Sequence, residues 1–211
     1  TVDAAATLLT LDQMKGENAK TYMTGLSFKY VWETVENDYP VYNPRGELWD
    51  GSYVTDFSTF KGSGTAADPY LIENGAQLAF AMVKNSKLNA GTCYKLAKDI
   101  ILNDTSIDNW QNRAPKEWYH QTSNRWVGTL DGDGHTIEGL YMNTATKRPG
   151  LVSYSQGTFK NLVFSGASIN YTGTSEPGVA IIAAQMARIA GAGKIVMCGC
   201  TSDEGIRLDI V

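Results

Sequence analysis

The chain has 211 residues, 19% of them charged, a formal net charge of −4, three cysteines and two histidines. That length supports one good core, or one core with a small appendage. No Lys/Arg cluster exists, which makes nucleic acid and anionic membrane poor partners, and no apolar run approaches about 18 residues, so nothing reads as a transmembrane helix.

Gly, Thr, Ser and Asn are abundant and β-formers recur through the second half, as in a β-rich extracellular domain. Thr1 begins without the basic flank and apolar core of a signal peptide. Cys93, Cys198 and Cys200 form no disulfide framework; Cys198 and Cys200 are two apart, awkward for a mutual bond, and a Cys93–Cys198 bridge stays open. With two histidines and no close metal spacing, no metal or other cofactor is expected, and the thiols read as buried space-fillers.

In chain order, residues 1–43 read as a small helix-strand segment. Thr10 is an N-cap with Gln13 three residues on, starting a helix that runs to about Tyr22. Leu26, Phe28, Tyr30 and Trp32 alternate with smaller or polar residues as in a half-buried strand, and Tyr39-Pro40-Val41-Tyr42 reads as an extended exit. Residues 44–67 are linker-like, rich in Gly and Pro, with Trp49 and Phe57 as anchors. Residues 68–211 form the main domain. A strand at Tyr70 to Ile72 leads to a helix from about Gly75 to Lys87, capped by Asn74 or Glu73, and then to a strand at Cys93 to Ile100. Strand, helix, strand here fits a unit that covers the end of a stack of β layers.

The loop from Asp104 to Arg125 carries Trp110, Trp118, Tyr119 and His120, and Trp126 follows it, with Asn and Gln interleaved. Ring faces that stack on sugar C–H faces, beside amides that bond hydroxyls, make Trp110, Trp118, Tyr119 and Trp126 the candidate ligand-binding residues. The competing reading puts Trp126 in the core and folds the loop around its own rings.

Gly128 to Ile137 follows: two short β pieces around Asp131-Gly132-Asp133-Gly134, a tight corner. Similar units come after it, at Gly150 to Gly166 and at Gly178 to Cys200. Short strands turning at glycines, repeated, predict a mainly β fold: a right-handed parallel β-helix (solenoid) with a short capping helix. Ile137, Leu162 and Met197 or Cys198 are candidates for inward stacks, and Asn161 for a ladder in a turn. Ile181 to Ala187 departs from the Gly-rich pattern and admits a short helix. Ile206 to Val211 reads as a strand in which the sequence stops, so the domain is expected to be truncated, or its last layer covered by another chain.

Gly62-x-Gly64-Thr65-x-x-Asp68-Pro69-Tyr70-Leu71-Ile72, Gln77-Leu78-Ala79, Tyr94-Lys95-Leu96-x-x-Asp99-Ile100 and Trp126-x-Gly128-Thr129-Leu130-Asp131-Gly132-x-Gly134-His135-Thr136-Ile137 occur in that order. This order resembles bacterial surface proteins with GLUG-motif β-helical domains, and Gly150-Leu151-Val152 and Thr158-x-x-Asn161-Leu162 look like the start of such repeats. The resemblance covers roughly Phe60 to Cys200; residues 1–43 resemble the piece that usually closes such a domain. It implies a secreted or cell-surface module, an adhesin or stalk segment of the kind also found in the non-catalytic parts of IgA1-specific metallopeptidases. The implied partners are a glycan or host surface ligand, or a neighbouring repeat domain or second chain at open solenoid ends.

No catalytic residues are expected. A polysaccharide-active β-helix enzyme is the alternative, but Asp131, Asp133 and Glu138 show no matching carboxylate set and no Lys or Arg repeating beside them. The Asp-Gly-Asp-Gly run lacks the later ligands of a calcium loop, no His-Glu-x-x-His exists, and His135 is expected to bond neighbouring backbone. A structural repeat that mates end to end is the other alternative. The step from fold to function is analogy.

Overall fold

The computed structural model describes residues 8–26, 28, 32–42, 47–84, 91–106, 108–118, 125–174, 178–186, 196–198, 201–202 and 207–210. The chain divides into two compact units, Thr1–Glu47 and Leu48–Val211. It is mainly β. Among the described residues no helix is long and apolar enough to cross a membrane.

In the first unit the expected capping box forms. The Thr10 N–H donates to Gln13 Oε1 at 2.8 Å, and the Gln13 N–H donates to Thr10 Oγ1 at 3.3 Å. The helix beyond it is interrupted, however. A 3-10 turn spans Asp12–Met14, Gly16 sits at φ +53°, and only then does helix α1 run over Asn18–Tyr22. A left-handed glycine cannot continue a right-handed helix, which is why the single helix to Tyr22 splits. Of the predicted strand, Leu26 and Phe28 are not in a strand, Tyr30 lies outside the described residues, and β1 spans Trp32–Val35. It pairs antiparallel with β2, Asp38–Tyr42, around a turn with Asn37 at φ +58°; the extended exit is therefore the second arm of a hairpin.

The second unit is built from short strands with parallel pairing. In order they are β3 Tyr70–Ile72, β4 Cys93–Leu96, β5 Ile100–Ile101, β6 Arg125–Trp126, β7 Thr129–Asp131, β8 Thr136–Glu138 and β9 Tyr141–Thr144. They continue as β10 Val152–Ser155, β11 Thr158–Lys160, β12 Val163–Ser165, β13 Ser168–Tyr171, β14 Ala183–Met186, β15 Val196–Cys198, β16 Thr201–Ser202 and β17 Arg207–Ile210. The sheets run β3-β4-β7-β11-β15, β5-β8-β12-β16, β6-β10-β14 and β9-β13-β17. From β6 onward each strand pairs with the strand four later. The connection that parallel pairing requires is therefore supplied by the three intervening strands rather than by a helix. Where a short helix was admissible, Ile181 and Ile182 are not helical and 183–186 form strand β14; Ala187 lies outside the described residues.

Register sets the core. Tyr94, Leu130, Phe159 and Met197 align on successive strands, as do Ile100, Ile137 and Phe164, and Met142, Ile169 and Leu208. The predicted stacking partner of Ile137 changes accordingly: it is Phe164, whereas Leu162 is buried at the corner between β11 and β12. In β7 and β11 only the central residue is buried, so one side chain per short strand enters the core and its two neighbours face out.

One flank of these strands is covered. The Lys61 backbone bridges Leu71 of β3, and the Trp49 N–H donates to the Ile101 carbonyl of β5 at 2.8 Å. Trp49 and Phe60, from the linker-like stretch, are buried in the core. Helix α2, Gly75–Ala79, is capped by Asn74, whose side chain accepts the Gln77 N–H at 2.9 Å, and Leu78 and Ala79 are fully buried. It continues as a π turn over Phe80–Lys84; residues 85–87 of the predicted helix lie outside the described residues.

Candidate functional site

Of the four candidate aromatic residues, three are described, and all three are interior. Trp110 is 7% exposed, Trp118 2% and Trp126 0%; Tyr119 lies outside the described residues. The Trp118 N–H donates to the Tyr141 carbonyl of β9 at 2.8 Å, and Glu117 Oε1 accepts the Asn143 N–H at 3.1 Å. Asn103 holds the base of the loop: its Oδ1 accepts the Lys116 N–H at 2.6 Å, and its Nδ2 donates to the Lys116 and Gly139 carbonyls at 2.9 and 2.7 Å. The described part of the loop that ends at Trp118 is therefore a strap along the outer edge of β9. The Trp118 indole tilts against Trp49, ring centroids 5.4 Å apart, and donates from Nε1 to the Leu151 carbonyl at 3.0 Å. Trp110 meets Tyr141 edge-on at 6.0 Å. Trp126 lies between Tyr94 and Phe159, at 5.6 and 5.8 Å. A sugar-stacking platform needs an exposed ring face, and these three rings are turned inward. The physical reason is edge coverage: β9 has one strand partner, β13, and its other side is closed by this loop.

The outward polar constellation is the Asp131–Gly134 corner between β7 and β8. Asp131 Oδ1 accepts the Asp133 N–H at 3.0 Å and the Asn161 side-chain amide at 2.9 Å. Asp133 and Gly134 take φ +52° and +82°, the left-handed backbone that Asp and Gly tolerate. Gly132 has a different reason to be glycine: a Cβ there would lie 2.2 Å from the Asn161 carbonyl oxygen. Its N–H donates to the Lys160 carbonyl at 2.8 Å, and the Gly134 N–H to the Asn161 carbonyl at 3.1 Å. Asn161 is thus in a corner ladder, with Asp131 as its partner.

Two lysines that the sequence reading missed flank this corner. Lys95 and Lys160 align with Asp131 on the preceding and following strands. Lys160 Nζ lies 2.8 Å from Asp131 Oδ2, and Lys95 Nζ 2.7 Å from Asp133 Oδ2. The expectation that no Lys repeats beside these aspartates is corrected. Each of the three aligned residues directly follows an aligned core residue, Tyr94, Leu130 or Phe159, and that spacing was the available signal.

Burial pushes the Asp131 carboxyl up. Hydrogen bonds from Lys160, Asn161 and the Asp133 N–H, with the Lys160 charge, outweigh it and hold the group below its ordinary range. Lys95 is raised, first by its hydrogen bond to Asp133, against desolvation, and then by the Asp133 and Asp131 charges. His135 faces a side chain rather than the expected backbone: its Nδ1 is 3.2 Å from Asp99 Oδ1, which also accepts the Thr136 N–H at 2.9 Å. Glu138, 8% exposed, accepts the Thr105 hydroxyl. The carboxylates at this corner are thus held by lysine, amide, hydroxyl and backbone donors, an arrangement that fixes one strand against the next. Among the described residues, no group of three or more His, Cys, Asp or Glu side chains could hold a metal ion. Cys93 is a free thiol, and β4 is three strands from β15, roughly 14 Å at the usual strand spacing, so Cys93 is beyond disulfide reach of Cys198.

No family model matches the chain, and no solved structure matches it. A segment of halomucin from Haloquadratum walsbyi is similar, 34% identical over 136 residues, which is 63% of this chain. That segment is 1% of halomucin's own length.

Proposed function

We propose that the second unit is a right-handed parallel β-solenoid of the GLUG-motif kind and serves as a non-catalytic, stalk-like structural module of an extracellular surface protein. The observation that carries this reading is the pairing of each strand from β6 to β13 with the strand four later, with core residues such as Leu130 and Phe159, and the charged Asp131 and Lys160 beside them, kept in register. The residues of the GLUG-like motif have matching roles. Leu151 is buried, Gly150 packs against backbone where a Cβ would lie 2.6 Å from the Ala180 carbonyl oxygen, and Asn161 turns the corner at φ +53°. Similarity to a small part of halomucin fits a surface module within a longer polypeptide. The inward rings and ion-paired corner favour a stalk over a glycan-binding adhesin or a polysaccharide-active enzyme.

Two measurements test this. Antibody raised against the chain should label intact cells of the parent organism, and external protease should remove the label; an exclusively internal signal would overturn the surface assignment. The purified chain, incubated with a panel of soluble polysaccharides, should neither shorten nor retain them. Shortened products would establish the enzyme reading instead, and saturable retention the adhesin reading.

A further inference from the structure

We infer that the Asp68–Pro69 peptide bond is a site of self-cleavage, promoted by a backbone oxyanion cradle built from residues 62–65. The Asp68 main-chain carbonyl oxygen accepts three donors. The Ser63 and Thr65 N–H groups each reach it at 3.1 Å, and the Ser63 hydroxyl at 3.4 Å. Two glycines aim these donors. Gly62 at φ +90° and Gly64 at φ +76° alternate with Ser63 and Thr65 and turn both N–H groups to one side, the arrangement that binds anions. No side chain fits in the first position, because a Cβ on Gly62 would lie 2.1 Å from the Pro69 oxygen.

The loop is held at its base. Lys61 bridges Leu71, Lys61 Nζ pairs with Glu73 at 2.7 Å, and the Cys93 N–H donates to the Gly64 carbonyl at 2.8 Å. The Asp68 N–H donates to Thr65 Oγ1 at 3.1 Å, so the backbone on the other side of Asp68 is fixed as well. The Asp68 residue is exposed, and its carboxylate has no protein partner among the described residues.

These parts suit one reaction. A carboxylate oxygen of Asp68 attacks the carbonyl carbon of the same residue, closing a five-membered ring. The carbonyl electron pair moves onto the oxygen held by Ser63 and Thr65. Collapse of that intermediate breaks the C–N bond to Pro69, whose nitrogen takes a proton from solvent and leaves as a secondary amine. Water opens the cyclic anhydride, returning the Asp68 side-chain carboxylate and leaving a new α-carboxylate. The balance is one water consumed and one peptide bond hydrolysed. Proline suits the leaving side, because its ring nitrogen carries no N–H for the surrounding backbone to hold. Covalent proximity supplies the nucleophile without a binding step, and donors preset on the developing oxyanion supply the stabilisation.

The test uses the full chain at mildly acid and at neutral pH. It is read by intact mass under denaturing conditions, because Phe60, on one side of the bond, is packed in the core with Ile72, on the other. Two fragments are expected, one ending at Asp68 and one beginning at Pro69, and they should form faster in acid. Asp68→Ala, which removes a side chain with no partner, abolishes cleavage. Ser63→Ala, which removes the hydroxyl at 3.4 Å and keeps both backbone donors, slows it by less than the roughly hundredfold that loss of a well-placed oxyanion donor costs. The same chain unfolded in urea at the same pH should cleave more slowly than the folded chain. No fragments from the folded chain, or equal rates folded and unfolded, would overturn the inference. So would unchanged rates in Asp68→Ala.

Discussion

Replacing Trp118 by alanine separates a buried anchor from a ligand contact. The indole is 2% exposed, tilts on Trp49 and donates from Nε1 to the Leu151 carbonyl. A buried indole removes about 200 Å² from water, or about 5 kcal/mol at 25 cal/mol per Å², in line with about 3–5 kcal/mol for a Trp truncation. The orphaned Leu151 carbonyl adds about 1–3 kcal/mol. At about 2–4 °C per kcal/mol for a chain of this size, Tm falls by roughly 10–30 °C. Trp118→Phe keeps most of the area and loses the hydrogen bond, so it costs about 1–3 kcal/mol. Thermal and urea unfolding followed by circular dichroism give both numbers. An unchanged midpoint in Trp118→Ala, with loss of polysaccharide binding, would refute the burial argument and restore the ring as a binding element.

Asn103→Ala leaves the Lys116 N–H and the Lys116 and Gly139 carbonyls without their partner, costing about 2–4 kcal/mol; hydrogen exchange at Lys116 should rise with it. Gly132→Ala forces a Cβ against the Asn161 backbone and costs about 3 kcal/mol or more, the upper end of overpacking, seen as a lower urea midpoint. The Asp131 carboxyl is depressed in the folded chain. Its contribution is therefore fully present above the unfolded value of about 3.9 and is lost as pH falls through the folded value below it. Tm measured across the acid range should drop more steeply in the wild type than in Asp131→Asn, and parallel curves would count against the pairing with Lys160.

Much of this architecture is legible in the sequence where a short-range rule acts alone. Thr10 with Gln13 and Asn74 with Gln77 state their caps, and Thr129-Leu130-Asp131 states a one-in, two-out strand. The corner at Asp131 is legible because few residues other than Asp and Gly accept its backbone. What escapes is set by neighbours remote in sequence. Lys95 and Lys160 look like isolated surface lysines until register puts them on either side of Asp131. Ile137 meets Phe164 rather than Leu162 because the two corners differ in length, which no local propensity encodes. Trp110 and Trp118 have the composition of a sugar site, and only the exposed edge of β9 explains why they turn inward. Leu26 and Phe28 alternate as a strand does, yet neither is in a strand, and the pairing of β1 with β2 is described only from Trp32 and Tyr42 onward.

The offset between paired strands varies while their register holds: Ile137 aligns with Phe164, 27 residues on, Leu130 with Phe159, 29 on, Tyr94 with Leu130, 36 on, and Phe159 with Met197, 38 on. In the proposed solenoid each layer touches only its neighbours, so its energetics are nearest-neighbour, and because closure entropy grows with the logarithm of length these offsets change it by only about 0.3 kcal/mol. A longer or shorter connection between two strands is therefore tolerated, whereas loss of the layer holding Leu130 and Asp131 would set Lys95 beside Lys160. A single-residue insertion inside a strand turns that strand's core residue outward. The length of a connection is therefore variable in this architecture, whereas phase is not.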